Sequence, residues 1–524
     1  MRQLRRDLSR HLPMTHIPQL VLCLPALPIS PNGKVDRKRV AEQLSALWAP
    51  AEAEAPGTQA CMLDRIVTCY RSVLLDNDVG PDGNFFDHGG DSLAAVNLSL
   101  MLARTIDRTV AVTALYRYPT PRALDGFLSG CGTVGGDECA LPEVEFSNRG
   151  APAAVSRKLL LTGATGFIGI HLLGRLVATT TLAITVLLRG ASAEAALARL
   201  AAAYRRAHPG QTLPHERIEV LLGDLVQPGW GLSEQAWRYH TQAIDEVVHC
   251  GAEVNFLFHA SQLFAVNVGG TLALIRFCDE GKVKQLHHIS SMAAKLAPTT
   301  GKALSFADAS ALGATGYGYT KYLSDHLVAS AQAQGLAARI YHVDDVLPSI
   351  GTGLANSQSL AHILLMHCLQ HGLAPQGCGD LGLLSADALA QWLCGFIGTR
   401  ERFAAAPPVL DVIGQQLVPF DQLVRSVATK LERSAVPIAY DAFLAFLKQL
   451  DHSGAALLHD ILPPAGGARV AFTKLGLAGE EQPVNAGIPQ AQLLAANTDD
   501  FNLYIRALGR ELDGGALKQR GGNV

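Results

Sequence analysis

A tyrosine and a lysine four residues apart, Tyr317 and Lys321, have the chemistry and spacing of a proton-donating pair. They lie in the stretch GYGYTKYLSD. On a helix, residues i and i+4 share one face, so the ammonium would lie beside the phenol. A nearby cation favours the phenolate and lowers the pKa of a tyrosine towards the range of proton exchange. Tyr319 has Leu323 four residues on, so Tyr317 is the candidate.

Two serines, Ser290 and Ser291, end the apolar stretch LHHISS, which has the pattern of a buried strand. A hydroxyl at the carboxyl end of a parallel strand can hydrogen-bond a substrate carbonyl, because ligands of open sheets bind beyond those ends. Simple termination of the strand is the alternative explanation. In chain order, a glycine-rich turn, an arginine, a strand-end serine and the tyrosine–lysine pair together match one arrangement of site residues.

The stretch LLLTGATGFIG places Gly163, Gly166 and Gly169 after an apolar strand and at the start of a helix. Glycine permits a tight turn there and lets the backbone approach a pyrophosphate closely. The free amides and the positive dipole end of the helix would then face the phosphates. Glycines also serve plain strand–helix packing, so the flanking strand and helix are what favour a dinucleotide site. Its candidate residues are Thr162, Gly163, Thr165, Gly166, Phe167, Ile168 and Gly169.

The end of the next strand, AITVLLRG, indicates which nucleotide would bind. An NAD-selective fold usually carries an acidic residue there for the ribose hydroxyls, whereas this chain has Arg189. A guanidinium can pair with a 2′-phosphate, which favours NADPH. Arg199, in the following helical stretch, is a second candidate for that phosphate, and a solvated helix face is its alternative. Asp224, at the end of LLGDL, is suited to hydrogen-bonding the adenine edge.

Five short apolar stretches must position these residues: KLLLTG, AITVLLRG, IEVLLGDL, EVVHCGA and QLHHISS. Their alternation with helical patterns is typical of an α/β fold with a doubly wound, Rossmann-type parallel sheet. From residue 351 to 524, stretches such as SLAHILLMHCLQHGLA predict a mainly helical substrate subdomain over the carboxyl edge of the sheet. We expect no metal site, since His367 and His371 lack a third ligand.

The composition argues against several classes of function. A net charge of −3 over 524 residues provides no basic footprint for nucleic acid. Ten cysteines without a CxxC pair indicate neither a zinc site nor a disulfide framework. The basic N-terminus lacks the apolar stretch of a secretory signal, and His171 and Arg175 interrupt the most apolar region, 159–188. We expect a soluble, cytoplasmic protein of about three or four domains that does not associate with membranes.

The N-terminal third divides at two linker-like stretches. APAEAEAPGTQ, residues 49–59, has the alanine, proline and glutamate composition of a linker, and residues 132–156 form a second loose stretch. Between them lies a small segment of helical patterns. Its bend FFDHGGDSLAAV displays Ser92 at the start of an apolar helix. A helix N-cap is the simplest explanation of that serine, and a displayed modification site is the alternative.

On the motifs TGATGFIG, VLLRG, GDL, VVHCGAEVN, NVGGT, ISSMA and YGYTK, the chain from residue 157 onwards resembles a known family. It is similar to the thioester reductase domain of nonribosomal peptide synthetases and carboxylic acid reductases, an extended short-chain dehydrogenase/reductase. The resemblance implies an NADP-binding part at 157–350 and a substrate-binding part at 351–524. It makes Ser291 and Tyr317 catalytic, with Lys321 as their partner. The cofactor-binding positions it implies beyond the glycine turn are Arg189, Arg199, Asp224, Leu225, Ala252, Ser290, Tyr317 and Lys321.

The segment 58–131, with DNDVGPDGNFFDHGGDSLAAVNL, resembles a small four-helix peptidyl carrier protein, whose GGDS serine receives 4′-phosphopantetheine. The resemblance makes Ser92 the attachment site and places Leu93 and Val96 on the face that partner enzymes contact. It implies a phosphopantetheinyl transferase and upstream adenylation and condensation domains as partners. LPISPNGKVDRKRV resembles the closing motif of an adenylation domain, with Lys34 as the acyl-adenylate lysine, so residues 1–48 are predicted to be an adenylation tail.

One turn departs from the reductase family. After the strand ARIYHV the family carries an Arg-Pro-Gly turn near the nicotinamide, and this chain has His342, Val343 and Asp344 in its place. Asp344 or Asp345 is predicted to put a negative charge near the cofactor. The change predicts either a reshaped nicotinamide pocket or impaired hydride transfer.

The leading hypothesis is NADPH-dependent reductive release of a carrier-bound thioester as an aldehyde, which could be reduced further to an alcohol or cyclise to an imine. The alternatives are a non-reducing cyclase of the same fold and a carrier platform whose reductase-like part is inactive.

Overall fold

The computed structural model describes residues 61–129 and 141–450, each apart from short gaps, together with residues 458, 462 and 501–520. The chain divides into two compact units, Met1–Gly136 with Asp451–Asp460, and Asp137–Leu450 with Ile461–Val524. The predicted adenylation tail, including Lys34, and the predicted linker at 49–59 lie outside the described residues.

The first unit contains three helices with described bounds: α1 (Met62–Leu74), α2 (Ser92–Ile106) and α3 (Pro121–Leu128). Residues 114 and 115 are also helical, while the residues on either side of them lie outside the described part. Helix α3 begins at a proline, and the Thr120 side chain caps it by accepting from the Ala123 N–H. This arrangement confirms the small helical unit predicted for the N-terminal region.

Helix α2 buries one stripe of side chains, Ala95, Leu98, Leu102 and Ile106, at the spacing of a core-facing helix. The loop before it packs on Phe85, a fully buried ring that meets Tyr70 edge-on with centroids 5.4 Å apart. The side chains of Leu93 and Val96 lie outside the described residues, so the predicted partner-facing surface stays a prediction.

The second unit is built on a parallel sheet of seven strands. The strands are β1 (Lys158–Thr162), β2 (Ala183–Leu188), β3 (Ile218–Leu222), β4 (Glu246–His249), β5 (Gln285–Ser291), β6 (Ala337–Val343) and β11 (Val409–Val412). Their order across the sheet is β11-β6-β5-β4-β1-β2-β3, and every neighbouring pair is parallel. The strands nearest the centre are almost completely buried, as expected for a sheet covered on both faces.

Helices cover both faces of this sheet, so the predicted doubly wound α/β fold is confirmed. One apolar cluster joins one face to α4 (Phe167–Thr179), α5 (Ala193–Ala207) and α12 (Ala386–Cys394). A second cluster joins the other face to α8 (Gly270–Asp279) and α10 (Gly316–Ala333). The other helices along the sheet are α6 (Glu234–Ala243), α7 (Ala260–Phe264), α9 (Phe306–Ala311) and α13 (Arg400–Ala405).

Among the described residues, one helical run, Ala260–Asp279, is long and apolar enough to cross a membrane on length and composition alone. It comprises α7, a π-helical turn (Ala265–Gly269) and α8. Leu263, Leu274 and Phe277 of this run are fully buried in the core beside the sheet. The run therefore has the packing of a core helix in this fold.

The seventh strand, β11, comes from beyond residue 350, so the Rossmann sheet extends past the predicted boundary between its two parts. The rest of the C-terminal region combines helices with short strands. These strands are β7 (Val346–Leu347), β8 (Leu373–Gln376), β9 (Asp380–Gly382), β10 (Leu384–Ser385), β12 (Leu417–Pro419) and β13 (Val436–Ala439). They form three two-stranded pairs, β7–β10, β9–β12 and β8–β13. The helices are α11 (Leu360–His371), α14 (Phe420–Lys430), α15 (Tyr440–Gln449) and α16 (Asn502–Arg520).

Candidate active site

The glycine-rich turn between β1 and α4 has no room for a side chain at two of its three glycines. Gly163 has φ +71°, and a Cβ there would lie 2.6 Å from the Cys250 carbonyl carbon. A Cβ on Gly169 would lie 2.2 Å from the Gly163 carbonyl oxygen. Gly166 is more open, since a Cβ on it would lie 3.2 Å from the same oxygen. Two of the three glycines are therefore required by close backbone packing.

The same turn leaves the start of helix α4 available to a ligand. Gly166 is the N-cap residue and has no side chain to accept from the first amides of the helix. Phe167, Ile168 and Gly169 begin that helix, and the first N–H groups of a helix have no partner within it. A cradle of this kind fits the pyrophosphate of a dinucleotide. Thr165 is half-buried in the same turn.

Thr162 ties the turn to the neighbouring strand β4. Its Oγ1 lies 2.7 Å from His249 Nδ1 and accepts from the Gly251 N–H at 3.1 Å. Leu225 packs against Gly251, where a Cβ would meet its Cδ1 at 3.1 Å. Ala252, the next residue, is half-buried. These contacts bring the predicted residues Thr162, Leu225 and Ala252 to one edge of the sheet.

Two exposed arginines meet beyond the end of β2. The Arg199 guanidinium donates to the Arg189 carbonyl oxygen. Partial burial, and secondarily the positive charge of Arg189, lower the pKa of Arg199. Two neighbouring arginines on the surface have the chemistry to bind a dianionic phosphate. The structure thus brings together both residues that the sequence suggested for the 2′-phosphate.

Asp224 shapes its own loop after β3. Its Oδ1 accepts from the Val226 N–H at 3.2 Å, and its backbone N–H donates to the Trp230 carbonyl at 3.0 Å. These two hydrogen bonds give the residue a structural role in the loop. Its predicted contact with the adenine edge is compatible with that role and stays a prediction.

Tyr317 is buried near the N-terminus of α10. The Thr315 side chain caps this helix by accepting from the Gly318 N–H at 3.1 Å. A Cβ on Gly316 would lie 2.2 Å from the Phe258 carbonyl oxygen, and one on Gly318 would lie 2.8 Å from that of Ala293. The two glycines that flank Tyr317 thus let the first turn of the helix press against the backbone on both sides.

Ser291, the last residue of β5, lies close enough to the Tyr317 hydroxyl to lower the pKa of that phenol. Burial raises the pKa of Tyr317, and the charges of Asp325 and Asp345 raise it further, against the lowering effect of Ser291. The phenol is therefore protonated at neutral pH, as a proton donor must be. The Ser291 Oγ also accepts from the Ala293 N–H at 3.2 Å.

Lys321 lies one turn beyond Tyr317 on the same helix and is also buried. Its Nζ donates to the Ile289 carbonyl oxygen of β5 at 2.9 Å. Burial lowers the pKa of Lys321, and the charge of Asp325 opposes that change. The predicted trio Ser291, Tyr317 and Lys321 is thus brought together at the carboxyl edge of the sheet.

Ser290, predicted as a cofactor-binding residue, turns its side chain into the core. Its hydroxyl donates to Asp325 Oδ2 at 3.0 Å. Asp325 is fully buried on α10, four residues after Lys321. Its carboxylate also meets His342, whose Nε2 lies 2.9 Å from Oδ2, and His288, whose Nε2 lies 3.3 Å from Oδ1.

We call the group formed by the buried Asp325, His288 and His342 with the half-buried Asp411 the Asp325 cluster. His342 Nδ1 lies 3.2 Å from Asp411 Oδ1, and Lys295 Nζ donates to Asp411 Oδ2 at 2.5 Å. This cluster was not predicted from the sequence as a functional group. The sequence feature that could have indicated the cluster is Asp325, which lies eight residues after Tyr317 and on the same helix face as Lys321.

Asn267 is a further residue of the site that was not predicted from the sequence. It lies in the π-helical turn and is buried, and its Nδ2 donates to Thr320 Oγ1 at 3.0 Å and to the Glu253 carbonyl at 3.1 Å. Its Oδ1 accepts from the Glu253 N–H at 2.8 Å. Asn267 therefore fastens the loop after β4 to α10. The motif NVGGT contained it, and π-helical turns are frequent at functional sites.

The turn that departs from the family pattern contributes charge on both sides of the site. His342 points into the Asp325 cluster, whereas Asp345 lies near enough to Tyr317 to raise its pKa. Burial, and then the charge of Asp344, raise the pKa of Asp345 to about 7. The predicted negative charge near the site is therefore partly neutralised by protonation.

An apolar pocket opens beside this turn. It begins at Val346 and Leu347, directly after Asp345, and its empty volume is about 550 Å³ including the part open to solvent. Helices α11, α14 and α16 each contribute to its walls, with Leu365, Val427 and Ile505 among the lining residues. His362 and Tyr504 form a polar pair in the wall, with 2.8 Å between Nδ1 and the hydroxyl oxygen.

Ser92, in the other unit, is the first residue of α2. Gly90, two residues earlier, packs against Phe85, since a Cβ there would lie 2.2 Å from the ring. The Gly90 N–H also donates to the Phe85 carbonyl at 2.9 Å. The bend before Ser92 is therefore held on the core of this unit at a position where only glycine fits.

In the part of the chain that the structure describes, no three metal-ligating side chains lie close enough together to hold an ion.

Comparison with protein families assigns both units. Residues 161–393 match the family described as Male sterility protein, an NAD-binding domain, and residues 64–128 match the phosphopantetheine attachment site. The chain joins a phosphopantetheine-binding carrier domain to an NAD-binding reductase domain. Ser92 lies within the carrier match, and Ser291, Tyr317 and Lys321 lie within the reductase match. Neither family match extends into the predicted adenylation tail.

Similar proteins come from fungi and bacteria. The L-2-aminoadipate reductase large subunit of Penicillium chrysogenum is 28% identical over 452 residues, which cover 74% of this chain and 32% of that protein. The isonitrile lipopeptide synthase of Streptomyces coeruleorubidus is 27% identical over 451 residues, which cover 79% of this chain and 30% of that protein. The chain thus spans about a third of the length of these curated relatives.

Solved structures agree on the fold. A thiolation-reductase di-domain from an archaeal nonribosomal peptide synthetase has a TM-score of 0.62 at 18% identity, over 88% of this chain and 99% of that one. The terminal R domain of the myxalamid biosynthetic pathway has a TM-score of 0.56 at 23% identity, over 70% of this chain and 93% of that one.

Proposed function

We propose that this reductase domain releases a carrier-bound acyl or peptidyl thioester by NADPH-dependent reduction to an aldehyde. The observation that carries the proposal is the grouping of Tyr317, Lys321 and Ser291 at the carboxyl edge of the sheet, where Lys321, one turn after Tyr317, donates to the Ile289 carbonyl of the strand that Ser291 ends. Ligands of open α/β sheets bind at that edge. The carrier unit, with its phosphopantetheine attachment site, supplies the thioester.

The preference for NADPH rests on Arg189 and Arg199. Their guanidinium groups lie close enough for the charge of one to lower the pKa of the other. A 2′-phosphate between them would relieve that repulsion, whereas a ribose hydroxyl would not. The glycine turn and the start of α4 would hold the pyrophosphate.

When bound, NADPH supplies the hydride for reduction. Ser291 and Tyr317 hydrogen-bond the thioester oxygen as negative charge develops on it. Tyr317 then gives its proton to that oxygen, which leaves a hemithioacetal, and Lys321 stabilises the resulting phenolate. Breaking the carbon–sulfur bond frees the aldehyde, and the hydroxyl proton passes to the sulfur of the pantetheine arm.

Tethering determines how tightly the site must bind its substrate. A thioester on the Ser92 arm has a high effective concentration at the cleft, so weak intrinsic affinity suffices. The apolar pocket beside Asp345 would accept the acyl part of the chain. A second hydride transfer would give an alcohol, and an internal amine would give a cyclic imine. These products differ in mass.

The test uses the full chain with an octanoyl-pantetheine arm loaded on Ser92 by a phosphopantetheinyl transferase. NADPH oxidation is followed by absorbance, and the released product by mass spectrometry. We expect octanal or octanol in proportion to the NADPH consumed. Tyr317→Phe is expected to lower turnover by about 10²- to 10⁴-fold, the usual contribution of a general acid.

Tyr319→Phe is the matched control, because Tyr319 lies on the same helix and its hydroxyl donates to the Leu304 carbonyl at 2.9 Å. It should keep most of the activity. Release of product without NADPH oxidation would favour the non-reducing cyclase. Equal release by the parent and by Tyr317→Phe would contradict the assigned chemistry and favour the carrier platform.

We also propose the setting of this chemistry. Upstream adenylation and condensation domains would build the thioester, a phosphopantetheinyl transferase would modify Ser92, and the reaction would take place in the cytoplasm, where NADPH is available. Co-purification of the full-length synthetase with its acyl intermediate on Ser92, detected by mass spectrometry, tests this arrangement.

A further inference from the structure

His342 lies between two carboxylates in the Asp325 cluster. Its Nε2 is 2.9 Å from Asp325 Oδ2 and its Nδ1 is 3.2 Å from Asp411 Oδ1. An ionised carboxylate only accepts hydrogen bonds, so each ring nitrogen must carry a proton to make both contacts. A neutral imidazole can donate from one nitrogen only. The geometry therefore requires a doubly protonated, positively charged ring.

The surroundings of His342 support that charge. His342 is 6% exposed, and burial alone would lower its pKa, but hydrogen bonds to Asp325 and Asp411 raise the pKa to about 9. The pKa of Asp325 lies well below its usual range, because contacts with His288 and His342 outweigh the effect of burial. Burial and the charge of Lys321 lower the pKa of His288 to about 4, so that ring is neutral near pH 7.

The charged groups around His342 come from every element packed against it. Helix α10 contributes Asp325 and Lys321, strand β5 contributes His288, and β11 contributes Asp411. Lys295 pairs with Asp411 at the surface. The turn after β6 adds Asp344, whose charge raises the pKa of Asp345, and Asp345, whose charge raises the pKa of Tyr317.

Asp325 connects this cluster to the reacting residues. Tyr317, Lys321 and Asp325 are spaced by four residues on α10, so they share one face of the helix. The charge of Asp325 raises the pKa of Tyr317 and also that of Lys321. An uncompensated Asp325 would therefore draw the Lys321 ammonium towards itself and oppose formation of the Tyr317 phenolate.

We propose that His342 is a positioning residue for the proposed reduction: its positive charge neutralises Asp325, so that Lys321 can serve Tyr317 and the cofactor. The inference rests on the proposed function. Turnover should then fall at alkaline pH as His342 loses its proton. The free energy of unfolding should fall over the same pH range. The raised pKa of His342 stabilises the folded state fully below about pH 6.5, the pKa of histidine in an unfolded chain. This stabilisation is lost as pH rises through the pKa of His342 in the folded protein.

The first measurement needs no turnover. Two-bond ¹⁵N–¹H correlation spectra of the ¹⁵N-histidine-labelled full chain report the protonation of each ring nitrogen, and the signal lost in His342→Gln assigns His342. We expect both His342 nitrogens to be protonated at pH 7.5 and to titrate near pH 9. A neutral ring at pH 7.5 would overturn the proposal, whatever the reductase activity proves to be.

The second measurement is the pH profile of turnover with the octanoyl-loaded chain. His342→Gln should lower turnover at pH 7.5 by about 10- to 100-fold, the range for a lost hydrogen bond to a charged group, with little change in NADPH affinity. His342→Arg keeps a permanent cation, so it should recover activity and move the alkaline midpoint upwards. An active His342→Arg enzyme with the parent's midpoint would assign the alkaline loss to another group and refute the proposal.

His287→Gln is the matched control. His287 is a buried histidine on the same strand as His288, and its ring nitrogens lie 2.8 Å from Glu246 Oε1 and 2.8 Å from the Tyr341 hydroxyl, outside the Asp325 cluster. Its variant should show the parent's alkaline midpoint, even if stability falls. A shift equal to that of the His342 variants would indicate a general effect of removing a buried histidine and would refute the proposal.

Discussion

The glycine turn and the Asp325 cluster lie at the same edge of one sheet but are built in opposite ways. The turn from Thr162 to Gly169 is one continuous segment that acts through backbone atoms, with two exposed arginines nearby. The Asp325 cluster takes its members from β5, α10, β6 and β11 and acts through buried charges. The first depends on the space left by missing side chains, and the second on the balance of charge among side chains that are present.

The difference has a practical meaning for substitutions. A change in the turn should act on cofactor binding through local sterics. A change in the cluster should act on stability and proton transfer together, because removing one partner leaves another charge buried and uncompensated. Measurements of stability and of cofactor affinity therefore separate the two regions.

The largest effect should come from Asp325→Asn. Removing this charge leaves His342 protonated beside an amide that cannot match it, and breaking a buried ion pair typically costs about 3–5 kcal/mol. Urea unfolding of the full chain would measure the loss. Asp224→Asn, on the cofactor side, removes only one turn contact and should cost less than about 1 kcal/mol. Equal costs for the two variants would erase the distinction between the two regions.

The next effect is expected from Gly169→Ala. A methyl group at 2.2 Å from the Gly163 carbonyl oxygen must push the turn open, and overpacking of this kind costs about 1–3 kcal/mol. NADPH affinity, followed by fluorescence titration, should fall by about 10- to 100-fold. Gly166→Ala, where the same oxygen is 3.2 Å away, should change affinity far less. A larger loss in Gly166→Ala would mean that the steric account is wrong.

A smaller and more selective effect is expected from Arg189→Ala. The loss of one charge-assisted contact to the 2′-phosphate should weaken NADPH binding by about 10-fold and leave NADH binding unchanged. Arg205→Ala is the control, because Arg205 is an exposed arginine in the last turn of α5. It should alter the affinity for neither nucleotide. Parallel losses for both nucleotides would place Arg189 elsewhere than at the phosphate.

A further effect, which depends on pH, concerns Asp345. The pKa of Asp345 is about 7 in the folded protein and about 3.9 in an unfolded chain. The raised pKa therefore contributes its full stability to the folded state below about pH 4, and this contribution is lost as pH rises through 7. Asp345→Asn should therefore raise the melting temperature of the full chain more at pH 8 than at pH 5. A gain of the same size at both pH values would indicate that the carboxyl group titrates normally.

The turn and the trio were easier to predict from the sequence than the cluster, for a physical reason. Gly163, Tyr317 and Lys321 act through local geometry, a turn and one helical face, which consecutive residues reveal. His342 and Asp411 meet only because β6 and β11 are neighbours in the sheet, and no local pattern records that pairing. Ser290 shows the same limit, since alternation along a strand does not tell which of two adjacent serines faces the core.

The C-terminal region was predicted in outline. Its helices carry apolar periodicity and were expected, whereas strands of two to four residues such as β7 and β10 are too short to show a pattern. The strand β11 was also missed, because it has only four residues and follows a helical stretch. The predicted end of the Rossmann part at residue 350 reflected that missing strand.

Strand β11 also bears on how the protein is made. Its partner β6 ends at Val343, and β11 begins at Val409. At about 5–20 residues per second, a ribosome needs several seconds to synthesise the intervening segment. Throughout that time β6 presents an open edge, which is a template for association with other chains. A shortened gene that stops near residue 350 would make that exposure permanent and should yield inclusion bodies instead of a free nucleotide-binding domain.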